Sequence, residues 1–217
     1  MQPPSDVPWL VLFAVGAALH FFLAAVVIQK RSSATADRLV LAALLAVGLW
    51  HGSRAGSLLH RTLTEQESEN SVLLGLGVAV LVAALALVVH AGVAWAGLTN
   101  WLAAPVYALT PAAWWLERSG HQEIYRLWVV LTLVWTVALC IRASRGGAEV
   151  HERRFFNLFA AALSLILLAA AAFGPDSSSM VLASLLPTAV FARYVYRYNL
   201  FGLIIGQRIV FALKLGI

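Results

Sequence analysis

The sequence predicts an all-α integral membrane protein: a seven-transmembrane helix bundle in a bacterial inner (cytoplasmic) membrane, N-terminus outside and C-terminus cytoplasmic. Three observations predict it. The first is composition, with 61% hydrophobic and 12% charged residues and a mean hydropathy of +0.84. A soluble domain carries about 25% charged residues, and a core of 217 residues cannot bury this much apolar surface, so lipid must solvate the remainder. The second is the recurrence along the chain of apolar runs near the roughly 20 residues that cross about 30 Å of hydrocarbon. The third is the distribution of lysine and arginine between the runs.

Taken in order, the runs place spans at 9–28, 39–60, 72–93, 101–116, 124–141, 155–173 and 180–196. Span 1 has no basic residue ahead of it, and the pair Lys30 and Arg31 follows it. It is therefore read as a retained helix, because a cleaved signal peptide carries its positive charge in front. Span 4 is short and contains Pro105 and Pro111, which remove backbone donors and are expected to kink it. The link between Val93 and Asn100 is nearly uncharged and is the weakest boundary. With the N-terminus outside, the cytoplasmic face receives Lys30, Arg31, Arg38, Arg142, Arg145, Arg153, Arg154, Arg193, Arg197, Arg208 and Lys214, eleven of the fifteen basic residues. The outer face receives Arg54, Arg61, Arg118 and Arg126. This asymmetry is the positive-inside pattern, and merging spans 3 and 4 would reverse it for the Arg142–Arg154 cluster.

The loops are short. The longest cytoplasmic one, 142–154, has Gly146 and Gly147 as its flexible point, and 174–177 reads as a tight external turn. No internal repeat is visible, which argues against a transporter built from duplicated halves. The net charge of +5 comes from short basic clusters flanking apolar runs, as membrane anchors do, and does not point to nucleic acid. Cys140 is the single cysteine, so there is no internal disulfide; inside an apolar run it reads as a small packing residue. The chain divides at about residue 198. Residues 1–198 form the membrane domain, and 199–217 read as an interfacial or linker helix that ends without a polar tail, as a chain continuing beyond Ile217 would.

Polar groups inside the hydrocarbon are costly and are functional candidates by default. Span 1 carries His20, and span 2 carries His51, Arg54, His60 and Arg61. At about 100° per residue, His51, Arg54, Leu58 and Arg61 share one helical face. Gly48, Gly52 and Gly56 repeat at GxxxG spacing, which admits close approach of another helix or a dimer partner. The functional reading is a small-ligand or ion-sensing pocket containing His20, His51 and Arg54 in the outer half of the bundle. The structural reading has Arg54 snorkelling outward and His51 bonded to a neighbouring helix. A b-type haem between His20 and His51 is a further chemical reading. Retinal is excluded, because Lys30 and Lys214 are the only lysines and neither lies within a span. Trp50, Trp95, Trp101, Trp114, Trp115, Trp128 and Trp135 read as interface anchors and packing residues. No Walker loop, zinc-spaced Cys/His set or nucleophile triad is present, so no catalytic residue, metal ligand or resident cofactor is assigned.

The exit from span 7 is basic and aromatic: Arg193, Arg197 and Tyr198 stand at it, and the run Arg197-Tyr198-Asn199-Leu200-Phe201-Gly202-Leu203 leads to Arg208-Ile209-Val210-Phe211. This stretch resembles the end of the membrane region in bacterial seven-transmembrane sensor histidine kinases. The resemblance covers about the last 25 residues closely and the remainder in span spacing. It implies a membrane-embedded input region that passes a stimulus to a C-terminal kinase domain and its response regulator, with a homodimer as the working unit. The chain itself has no phosphoacceptor helix or nucleotide-binding boxes, and His151 lies in a loop between spans. The competing class is a stand-alone membrane protein, either a subunit of a larger complex or a haem-bearing electron-transfer cytochrome.

Overall fold

The computed structural model describes residues 7–29, 35–64, 71–146, 150–173 and 178–198. Lys30, Arg31, Gly147, the 174–177 turn, Arg208, Lys214 and the whole 199–217 segment lie outside them, as do the side chains of Arg197 and Tyr198. Among the described residues there are seven α-helices, one at each predicted span, with 101–103 of the fourth in a 3-10 turn instead. They are α1 (Val7–Gln29), α2 (Thr35–Thr64), α3 (Ser71–Trp95), α4 (Ala104–Arg118), α5 (Gln122–Gly146), α6 (Val150–Phe173) and α7 (Ser178–Tyr198). Five of the helices overrun their apolar runs at both ends, α6 only at its start and α4 only at its end, because polar residues in headgroup depth keep helical hydrogen bonds without needing to be lipid-soluble. Gly146, expected in a flexible link, closes the last turn of α5 instead.

The uncharged link after α3 is resolved by its backbone. Gly97 adopts φ +65; Leu98 N–H donates to the Val93 carbonyl at 3.0 Å and Gly97 N–H to that of Ala94 at 3.2 Å. This is the Schellman cap, which needs a left-handed residue that glycine supplies without a Cβ clash. The end of α4 repeats it, with Gly120 at φ +83 and His121 N–H on the Leu116 carbonyl at 2.9 Å. Spans 3 and 4 are therefore separate helices. A 3-10 turn at Asn100–Ala103 opens the second of them, and Pro105 falls in the first turn of α4. There its missing N–H is one that no helix would have used, so it starts the helix rather than kinking it. Pro111 is the interior proline.

Among the described residues, four helices are long and apolar enough to cross a membrane: Val7–Ile28, Thr35–Thr64, Val72–Trp95 and Gln122–Gly146. Their outer faces match that solvent. Val7, Val11 and Val15 form an i, i+4, i+8 stripe on α1, each more than half exposed, and Leu127 and Leu131 do the same on α5. Such continuous apolar faces are not left to water, and the chain is a multi-pass membrane protein.

Six helices close into a ring. α1 packs on α2, α2 on α3, α3 on α5, α5 on α6, α6 on α7, and α7 returns to α1. α4 stands outside, against α3 and α5, with only Ala113 buried. A 15-residue helix rises about 22 Å, so α4 with its 3-10 turn is the shortest element of the bundle. Trp114 Nε1–H reaches the Gly75 carbonyl at 3.3 Å, which sets the end of α4 beside the start of α3. At the opposite end Trp95 of α3 meets Phe155, Phe156 and Phe159 of α6. Successive helices therefore run in alternating directions, as short loops require. Cys140 is fully buried in the main core and free.

Candidate functional site

The ring holds a partly open cavity of about 140 Å³, walled by residues from every helix except α4. Leu44, Leu81, Leu85, Leu133, Ile166 and Phe191 make most of its wall apolar, and Trp50 and Trp95 close two sides. Besides the two tryptophans, three side chains with polar atoms reach it: His20 from α1, and Ser184 and Thr188 from α7. Pro187 lies between the two hydroxyls. Its missing N–H leaves the α7 ladder open there, and the Thr188 hydroxyl lies 3.3 Å from the Ser184 carbonyl but only 2.8 Å from His20 Nε2.

The protons at this point can be assigned by elimination. His20 Nδ1 is 2.7 Å from the Gly16 carbonyl. A carbonyl only accepts, so Nδ1 carries the hydrogen and donates it. In the neutral ring Nε2 is then an acceptor, and Thr188 donates to it. Both His20 nitrogens are thereby used, in a side chain only 2% exposed.

His51 stands directly behind His20. Their ring centroids are 5.1 Å apart with planes 31° from parallel, and Trp50 at 4.6 Å and Phe13 at 5.8 Å complete the enclosure. His51 has no exposed surface. Its Nε2 makes a longer contact of 3.4 Å to the Ser184 hydroxyl, and its Nδ1 has no hydrogen-bond partner among the described residues. The ring fits because α1 offers no side chain opposite it: a Cβ on Gly16 would lie 2.6 Å from Nδ1. Gly16 thus has two uses, a carbonyl for one histidine and empty volume for the other.

The structure brings His20 and His51 together and separates Arg54 from them. Arg54 is half-buried on the next turn of α2 and is not among the residues that line the cavity. The GxxxG residues do not form one seam. A Cβ on Gly48 would meet Phe21 of α1 at 3.0 Å and one on Gly56 would meet Leu73 of α3 at 3.5 Å, whereas Gly52 has nothing within 4 Å. The tryptophans divide in the same way: Trp50 and Trp95 wall the cavity, while Trp101, Trp114, Trp115 and Trp135 are exposed to the outside. The arrangement does not fit a haem held between His20 and His51, because neither His20 nitrogen has a lone pair left and the two rings lie against one another. Among the described residues no group of three or more His, Cys, Asp or Glu is placed to hold a metal ion.

Sequence reasoning missed Gly16, Ser184 and Thr188. A glycine inside an apolar helix costs about 1 kcal/mol against alanine and so calls for a packing reason; Gly16, one turn before His20, carried that signal. Pro187 was the comparable signal for the two hydroxyls. The site as a whole is an apolar intramembrane cavity with one hydrogen-bonding corner, and that corner ties α7 to α1 and α2. Comparison with protein-family models, with curated proteins and with solved structures finds no match for this chain.

Proposed function

We propose that this chain is the membrane-embedded input region of a sensor histidine kinase. All seven helices cross the bacterial inner membrane, with the N-terminus outside, and α7 passes a stimulus to a C-terminal kinase domain and its response regulator. One observation carries this reading: α7 is at once a wall of the cavity and the helix that leads to the basic-aromatic exit. Its middle is tied to α1 and α2 through Thr188–His20 and Ser184–His51, and its later turns through Phe191 and Tyr194 to Phe155. A change in the cavity therefore bears directly on the element that leaves the membrane. Arg193 and Arg197 lie at that end, where an anionic inner leaflet holds cationic side chains. Arg142, Arg145, Arg153 and Arg154 flank the α5–α6 link at the same end as Trp95, which supports placing it in the cytoplasm.

Two experiments test the reading. Alkaline phosphatase fused after Ser119 is expected to be active and after Gly146 inactive, with a cytoplasmic fluorescent reporter giving the opposite pattern; reversal of either pair overturns the orientation. For signalling, the kinase-bearing protein in its own membranes is given labelled ATP. Thr188→Val leaves His20 Nε2 without its donor, and an orphaned buried group costs about 1–3 kcal/mol. If the Thr188–His20 bond belongs to one of two helix packings, that shifts their ratio at least five-fold. A phosphorylation level changed several-fold at equal protein abundance is the expected result. No label entering the chain's own polypeptide, together with stable copurification of other membrane subunits, would establish the stand-alone class instead.

A further inference from the structure

We propose that the cavity is a binding site for a small lipid-soluble molecule of about single-ring size that carries one hydroxyl or N–H donor, with Thr188 as its acceptor. Size follows from volume. An apolar cavity of about 150 Å³ takes up benzene, and this one measures about 140 Å³, which suits one ring. Solubility follows from the walls, where leucine, isoleucine and aromatic side chains surround the space on six helices.

The demand for a donor follows from proton accounting. The Gly16 carbonyl fixes the His20 hydrogen on Nδ1, and Nε2 then takes the Thr188 hydrogen at 2.8 Å. The Thr188 oxygen has no hydrogen left to offer and presents lone pairs alone. A ligand bringing an O–H or N–H finds an acceptor at that corner. A hydrocarbon of the same shape cannot use that acceptor, and a carbonyl placed against it would meet the Thr188 oxygen acceptor to acceptor. Ser184 stands one turn before Thr188 on the same wall, and the hydroxyl pair with His20 forms a polar corner that orients the ligand.

The binding claim stands apart from signalling; only the consequence that occupancy alters the output of α7 rests on the proposed sensor role. The test uses the full chain in lipid nanodiscs with phenol and toluene as probes, which have equal numbers of heavy atoms. Each is titrated at concentrations corrected for its partition into protein-free nanodiscs, and binding is read from the thermal unfolding midpoint and by equilibrium dialysis. Phenol is expected to bind about tenfold more tightly than toluene, the worth of one buried hydrogen bond. Thr188→Val is expected to bring phenol down to the affinity of toluene and leave toluene unchanged. Thr188→Ser keeps the oxygen and should keep the preference, which covers the case where the valine variant does not fold. Leu133→Trp, which fills the cavity, should abolish uptake of both. Equal affinity of the two probes in the wild type, a preference surviving Thr188→Val, or uptake surviving Leu133→Trp overturns the proposal. Binding that behaves as described, with no effect on phosphorylation, leaves the site standing and removes the sensor reading.

Discussion

Replacing Phe155 by alanine is expected to lower the unfolding free energy by about 2–4 kcal/mol. Phe155 has no exposed surface and lies at the meeting of three helices. Its ring centroid is 5.1 Å from Phe156 and 5.4 Å from Phe159 on its own helix, 6.2 Å from Trp95 of α3, and 6.4 and 5.5 Å from Phe191 and Tyr194 of α7. Edge and offset aromatic pairs contribute about 0.5–1.5 kcal/mol each beyond the area they cover, and truncation removes five of them together. In water-soluble cores a Phe→Ala change costs about 3–5 kcal/mol, part of it lost transfer from water. A membrane helix that separates from its neighbours stays in lipid, so that part shrinks and the packing loss remains.

The measurement is a denaturant titration in mixed micelles, following loss of helix with increasing ionic detergent. Phe155→Leu serves as a control, since it keeps most of the volume and loses mainly the ring geometry; it is expected to fall between wild type and alanine. A Phe155→Ala protein as stable as wild type would show that the aromatic cluster does not hold α7 to α6 and α3. The proposed path from cavity to exit would then lose its inner half.

The positions of the helices were legible in the sequence, and their neighbours were not. Apolar runs bounded by charges mark helices because both lipid and protein interior accept apolar side chains. For the same reason the runs of α1 and α3 carry no amphipathic stripe that says which face is inside. Nothing in the sequence separates Val11, exposed to the outside, from Val27, buried in the core. The peripheral place of α4 was hidden too, since its apolar surface reads as another span. Thr188 was hidden by its own ordinariness. Thr132, Thr136 and Ser164 also sit within helices, and each donates to the carbonyl four residues earlier at 2.8–2.9 Å, the usual fate of a hydroxyl on a membrane helix. What sets Thr188 apart is His20 across the interface, whose Nε2 at 2.8 Å lies closer to the hydroxyl than the Ser184 carbonyl at 3.3 Å. His20 and His51 were legible as costly polar groups; that they stack on one another depends on the α1–α2 register, which is set by Gly16.

Gly16→Ala is therefore expected to destabilise the protein by about 1–3 kcal/mol, although alanine is the better helix former by about 1 kcal/mol. The added methyl would lie 2.6, 2.8 and 2.9 Å from Nδ1, Cε1 and Cγ of His51. These are atoms of a rigid ring, and Phe13, Trp50 and His20 enclose it, so the ring cannot swing clear. Either α1 moves away from α2, which pulls His20 from Thr188, or His51 turns and loses Ser184. Gly52→Ala gives the opposite sign. Beyond its own helix backbone no atom of the described residues lies within 4 Å of its Cβ position, and the substitution should stabilise by about 0.5–1 kcal/mol through helix propensity alone. Both are read in the same detergent titration, with phenol affinity as the second readout. The pair separates two accounts of glycine in this protein. If the glycines of α1 and α2 were interchangeable small residues of a helix-packing pattern, the two variants would shift stability in the same direction. If Gly16 alone makes room for a buried imidazole, they diverge, and only Gly16→Ala weakens phenol binding. A Gly16→Ala protein that matches Gly52→Ala in stability and still prefers phenol over toluene would remove the His20–His51 pair from any part in shaping the cavity.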